Sequence, residues 1–309
     1  MRLSQRVKQI LSHYGGDNPG VRGKLAQMLM NGKLGGTGRM IILPVDQGIE
    51  HGPARSFAVN PGGYDPMYHH KLAIDAGLSA YAAPLGQLEV SSPHFPGQIP
   101  TILKLNHSNS LSRLKEDADQ AIFGSIEDAL RLGCSAIGFT IYPGSDTQFE
   151  MMEEIAELIR EAKEVGIPSV VWSYARGGPL SKDGETALDV IGYSAHLACQ
   201  LGAHIVKVKL PSNVLEQGEA EKAFKSAKIA KKTQADRVAE VVRSCFGGKR
   251  VVVFSGGAAK GSKSVFDDAR AIRDGGGNGS IIGRNVFQRP REEAMELLQA
   301  VTNIYLGKE

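Results

Sequence analysis

A lysine inside an apolar β-run is the sharpest chemical signal in this chain. The segment HIVKVKL (204–210) alternates Val206, Val208 and Leu210 with Ile205, Lys207 and Lys209. Successive side chains of a strand point to opposite faces, so the two lysines share one face. If that face lines a barrel, Lys207 is cut off from water. Burial and neighbouring cations then lower its pKa and leave a neutral amine near pH 7. A neutral amine attacks carbonyl carbon and forms a Schiff base. Lys104 and Lys209 are the candidate neighbouring cations. The plainer alternative is a lysine paired with a carboxylate for structure.

Other polar residues fall where predicted strands end: Asp46, Lys104, Asn106, Tyr142, Trp172, Tyr174, Arg176, Ser255 and Arg284. Each has an ordinary reading by itself. An Asp caps a helix, and a Tyr or Trp fills a core. Their joint placement at one end of a barrel is what points to a site. Two further segments suggest phosphate. SGGAAKGS (255–262) follows the seventh predicted strand and GRN (283–285) the eighth. Ser255, Gly256, Gly257 and Gly283 would let backbone N–H groups approach phosphate oxygens, and Arg284 would pair with them. Metal chemistry is not expected. The eight histidines include His69 and His70 side by side, but there is no HExxH and no Cys/His cluster. His51 and His107 lie near strand ends and keep a three-ligand site formally open. GDNPG (16–20) and DGGGNG (274–279) read as turns, not as nucleotide fingerprints.

The elements that must hold these residues are short apolar runs alternating with helical patterns. Strands are predicted at 39–46, 78–84, 100–106, 136–142, 169–174, 204–210, 250–255 and 280–283. Helices are clearest at 147–165, 186–201, 263–273 and 290–304. This alternation predicts βαβ units, and eight strands predict a (β/α)8 TIM barrel, class α/β. A doubly wound open sheet is the alternative. Strand two lacks an obvious long helix after it. Residues 1–36 form an N-terminal helical extension, with patterns near 3–13 and 21–31 that cap the barrel's bottom or mediate assembly. Residues 37–309 form the catalytic barrel as a single domain. Residues 211–237 are a polar insertion containing KAFKSAKIAKK, read as a solvated helix face or a lid.

Composition narrows the partners. With 309 residues, 42% apolar content and a net charge of +3, the chain can bury a large core, and neither nucleic acid nor a membrane surface is indicated. The N-terminus MRLSQRVKQILSHYGG has no apolar signal core, and no run of about 18 apolar residues occurs. Cys134, Cys199 and Cys245 are far apart and odd in number, which suits buried thiols in a reducing cytoplasm.

Taken in order, these motifs resemble the class I fructose-1,6-bisphosphate aldolases of the archaeal type, a group also present in bacteria. The matching segments are ILPVDQGIEHGP (42–53), KLN (104–106), TIYPGS (140–145), VVWSYARGG (170–178), GAHIVKVK (202–209), SGGAAKG (255–261) and GRNVFQR (283–289). The bacterial branch is the better match, given the N-terminal extension and the insertion. The resemblance implies Lys207 as the Schiff-base lysine, Tyr174 as the proton-transfer tyrosine and Asp46 as the active-site aspartate. It implies Trp172 and Arg176 as their neighbours and the SGG and GR motifs as the site for the ketose C1 phosphate. Lys104 and Lys209 are expected to bind substrate. It also implies a sugar-phosphate substrate, no cofactor and no metal, and a homo-oligomer. One departure is His204, where relatives usually carry Asp. Two rivals remain at this point. One is a related Schiff-base enzyme, of the aminodideoxy-heptulosonate synthase type or acting on a phosphorylated signalling ketose. The other is a non-catalytic sugar-phosphate-binding barrel.

Overall fold

A computed structural model describes residues 2–111, 118–257 and 259–309. Eight parallel strands close into a barrel: β1 (Met40–Pro44), β2 (Ala80–Pro84), β3 (Thr101–Lys104), β4 (Ala136–Ile141), β5 (Ser169–Ser173), β6 (Ile205–Val208), β7 (Val251–Ser255) and β8 (Gly279–Ile281). Each pairs with its neighbours in chain order, and β8 closes on β1 through Met40 opposite Gly279. The closed topology settles the barrel against the open sheet. All eight predicted runs hold a strand, most of them trimmed at one or both ends.

The period-two pattern sorts the core into two layers. Ile137, Phe139 and Ile141 of β4, and Val206 and Val208 of β6, face the surrounding helices. Ala136 of β4, Ile102 of β3, Val170 of β5 and Ile205 of β6 fill the barrel. The predicted helices at 147–165, 186–201, 263–273 and 290–304 are Gln148–Glu164, Leu188–Gln200, Ser262–Asp274 and Arg291–Leu306. The seven-residue helix Leu85–Ser91 and a 3-10 turn at Ser92–His94 follow β2, which is why no long helical period was visible there.

Two helices precede the barrel, α1 (Gln5–Ser12) and α2 (Pro19–Met30). Ser4 and Asn18 cap them, accepting from Val7 N–H and Val21 N–H. Their buried faces, with Val7, Ile10, Leu25 and Met28, join the barrel's interior cluster. Tyr14 fixes this plug to the strand starts. Its hydroxyl donates to His204 O at 2.6 Å and accepts from Val251 N–H at 3.0 Å. His204 itself is tied to the extension, with Nε2 3.4 Å from Asp17 Oδ1. The insertion is anchored to the loop after β5 and to the helix Leu188–Gln200 that follows it. Asp189 accepts from the backbone N–H groups of Glu216 and Gln217, and Glu216 accepts from Ser181 N–H and Oγ. Its helix Gly218–Ser226 has no buried residue. Among the described residues no helix is long and apolar enough to cross a membrane.

Candidate active site

A cavity of about 300 Å³ opens at the C-terminal ends of the strands. Its lining includes Asp46, Trp172, Tyr174, Arg176, Lys207, Lys209, Ser255, Gly256, Gly257, Gly283 and Arg284 from the sequence analysis. Lys104 is not part of that lining; its Nζ is 5.7 Å from the centre of the Trp172 ring. Ala258, within the SGGAAKGS segment, lies outside the described residues.

Lys207 stands opposite Trp172 in the β5–β6 ladder. Its Nζ is 5.2 Å from the centre of the Trp172 ring and 5.3 Å from that of Tyr174. Gly138 makes this packing possible: a Cβ there would come within 2.6 Å of the indole. The Trp172 indole Nε1 is buried and has no partner among the described residues. Lys207 is 6% exposed. Burial is the main cause that brings its pKa from 10.5 down to about 7; the carboxylates of Asp46 and Glu50 oppose the change, and Lys104 and Arg284 assist it. Lys209, expected as a neighbouring cation, turns instead to Glu185, with Nζ 3.1 Å from Oε2. Lys104 is 1% exposed and donates to the backbone O of Asn106 and, at 3.0 Å, to its Oδ1. Burial lowers its pKa to about 8, against Asp46 and Glu50. Asn106 is held in turn by Thr140, donating to its O and accepting from its N–H.

Asp46 follows β1 at the start of the short helix Gln47–His51, yet its side chain caps nothing there. Its Oδ2 lies 3.1 Å from His107 Nε2, in a contact that is close but poorly aligned for a hydrogen bond. The other ring nitrogen of His107 is 3.2 Å from Ser108 O. Burial alone would raise the Asp46 carboxyl. The His107 contact and the charges of His107, Lys104 and Lys207 hold it well below the usual carboxylate range. Asp46 is therefore ionised beside a lysine whose pKa is brought down to about 7. Burial pushes the Tyr174 phenol well up, and Asp46 adds to this, while a hydrogen bond with Ser255 pulls the other way. Tyr174 thus keeps its proton across the neutral range. Arg176 stacks on Tyr142, 4.8 Å from the ring centre.

Beyond Arg284, the glycines complete the far wall. Gly257 has φ +70°, a left-handed conformation that favours glycine. Asn285 Nδ2 donates to Gly256 O, and Asn285 Oδ1 accepts from Lys260 N–H, so the two loops after β7 and β8 are bonded together. Glu50, Gln47 and Gln120 also line the cavity and were not singled out in the sequence. Glu50 lies four residues beyond Asp46, one turn along the helix that opens there, and that spacing was a usable signal. Gln120, which donates to Tyr142 Oη at 2.7 Å, comes from the loop after β3 and carries no strand-end signal. Among the described residues no group of three or more His, Cys, Asp or Glu side chains is placed to hold a metal ion.

Comparison with known proteins agrees with this geometry. Residues 40–289 match the DeoC/LacD family of aldolases. A probable fructose-bisphosphate aldolase class 1 of Chlamydia muridarum is 36% identical over 294 residues, covering 91% of this chain and 83% of its own. The fructose-bisphosphate aldolase class 1 of Thermoproteus tenax is 34% identical over 271 residues, covering 87% and 90%. A solved archaeal fructose-1,6-bisphosphate aldolase, with its catalytic lysine covalently bound to the carbinolamine intermediate of the substrate, superposes with a TM-score of 0.73 at 33% identity, covering 87% of this chain and 94% of that one. The family match over residues 40–289 and relatives at 34–36% identity across most of the chain place the protein in the class 1 fructose-bisphosphate aldolases of the DeoC/LacD family.

Proposed function

We propose that this chain cleaves fructose 1,6-bisphosphate reversibly through a Schiff base on Lys207. The observation that carries the reading is a lysine nearly closed off from water, with its pKa near 7, facing a phenol and an ionised carboxylate. The neutral amine adds to the C2 ketone, and loss of water gives an iminium. The C4 hydroxyl gives up its proton, the C3–C4 bond breaks, and its electron pair passes into the iminium to form an enamine. Glyceraldehyde 3-phosphate leaves. Tyr174 protonates the enamine at C3, and hydrolysis releases dihydroxyacetone phosphate. Acid–base steps of this kind contribute about 10²–10⁴-fold each.

Asp46, kept ionised by His107, orients the imine nitrogen and substrate hydroxyls or takes the C4 proton; His107 is a positioning residue that acts through it. Ser255–Gly257 with Gly283 and Arg284 receive the C1 phosphate. Trp172, Arg176 and Lys209 contact the rest of the substrate. Lys104, which does not reach the cavity, acts as a buried charge that depresses Lys207. The iminium is the electron sink, so the reaction needs no metal. Residues 1–36 serve as a floor for the barrel of residues 37–309.

The test is borohydride reduction of the EDTA-treated enzyme in the presence of dihydroxyacetone phosphate, followed by peptide mass mapping. A stable adduct on Lys207 is the expected result. Loss of trapping on chelation, restored by zinc, would overturn the assignment.

A further inference from the structure

At the opposite pole, between α1 and the turn that leads into β7, a partly open cavity of about 160 Å³ is lined by Arg6, His13, Tyr14, Gly248 and Arg250, among others. None of its described lining residues is acidic. Arg250 is held in place by stacking, its guanidinium carbon 5.0 Å from the Tyr14 ring centre and 5.3 Å from that of Phe246. One Nη donates to Lys249 O, but the buried Nε has no partner among the described residues. Arg6 donates to the neutral Gln9. Among the described residues neither guanidinium has a carboxylate within ion-pair distance. Asp17, whose charge Arg250 feels, is engaged by His204 and Lys163.

We infer that this chamber is an anion site, built to hold a single phosphate or phosphate-monoester group between α1 and the β7 approach. Oriented guanidinium groups with no internal carboxylate are the usual receptors for such oxygens. The field at His13 agrees: burial, then Lys249, Arg6 and Arg250, lower its pKa, with no acidic group opposing them. The site is more than a surface patch, because Tyr14 forms its wall and also joins the starts of β6 and β7. An anion here would fasten the N-terminal plug to the start of β7. The site is separate from the barrel mouth and does not depend on the reaction proposed there.

The test follows the imidazole proton resonance of His13, assigned by its disappearance in His13→Gln, at constant ionic strength. Inorganic phosphate, glycerol 3-phosphate and chloride are titrated separately. A saturable displacement with phosphate, retained in Arg284→Ala where the mouth has lost its own arginine, is expected. Arg250→Met, which keeps the stacking bulk but loses the charge, should raise the half-saturation concentration at least about tenfold, the loss expected for one charge-assisted hydrogen bond. Arg6→Gln, at an exposed position on α1, should raise it less and serves if the first variant does not fold. Tighter binding of glycerol 3-phosphate than of phosphate would assign an ester; the reverse would assign the free ion. The inference falls if chloride displaces the resonance equally, if phosphate leaves it unmoved, or if both variants titrate as the parent does.

Discussion

At the floor of the barrel the inward side chains are Ile42, Ala80, Ile102, Ala136, Val170, Ile205 and Val251, closed over by α1 and α2. One or two inward steps further along the same strands they become Lys104, Thr140, Trp172 and Lys207. Both sets are buried. The floor gains from burial, at roughly 25 cal/mol per Å² of apolar surface. The mouth loses by it, since each buried amine is depressed by desolvation. One end of the interior therefore stabilises the other, and the unfavourable end is the one that holds a reactive amine. This is a familiar division of labour in barrel enzymes, where the bottom serves stability and the top chemistry.

The sharpest break of that comparison is Lys207→Met. Turnover and borohydride trapping should be abolished, while the thermal midpoint at pH 7–8 should rise. The unfolded lysine keeps its proton up to about pH 10.5, whereas the folded one releases it near 7. Between those values the unfolded state binds more protons, so this group's contribution makes stability increase with pH across the window. Its penalty is full below pH 7 and fades as pH approaches 10.5. Methionine removes the penalty at every pH. A fall in midpoint would show that the amine is structurally paired.

The same ionisation predicts the pH profile. kcat/KM should rise with pH through a limb near 7, as the amine loses its proton. A limb at the ordinary lysine value would mean that the mouth is wet. On the far wall, Arg284→Ala should raise KM for fructose 1,6-bisphosphate at least about tenfold, since a charge-assisted contact is worth roughly 1.5–3 kcal/mol. Unchanged KM and kcat/KM would remove Arg284 from the phosphate site.

The floor supplies the converse. Tyr14→Phe leaves Val251 N–H and His204 O without their partner and should cost about 1–3 kcal/mol of stability. Its kcat/KM should change little. Chemical denaturation beside steady-state kinetics reads both, and a large loss of activity with intact stability would contradict the separation of floor and mouth.

Most of the barrel was legible because a strand's period and length are local properties. Ile137, Phe139 and Ile141 announced the helix-facing side of β4, and Val206 and Val208 that of β6, before any contact was known. Parity also put Lys207 on the inner face. Parity does not encode depth or partners. Lys104 was grouped with the substrate-facing residues, yet it is buried outside the cavity lining and bonded to Asn106. The pairing of Asp46 with His107 spans 61 residues, and that of Asp17 with His204 spans 187. Contacts of this range have no sequence period. His204 looked like an isolated departure at a strand start. Its ring accepts from Ser169 N–H and faces Asp17 from the extension.

Lys209 gives the smallest and finest test. It shares strand parity with Lys207, and pattern alone does not separate them. Two residues along a strand amount to about 6.5 Å, which brings Lys209 towards solvent, where its side chain is 24% exposed. There it meets Glu185 at 3.1 Å, and this carboxylate counters the desolvation that lowers its pKa. Lys209 is also absent from the cations that depress Lys207, which are Lys104 and Arg284. Lys209→Met should therefore leave borohydride trapping intact and leave the pH limb near 7 unmoved. Activity should fall only by what a partly exposed ion pair beside the substrate contributes, about 0–1 kcal/mol, or up to about fivefold. An adduct mapped to Lys209, or a limb displaced upward in Lys209→Met, would show that the shallower lysine is the reactive one or that it sets the field for the deeper.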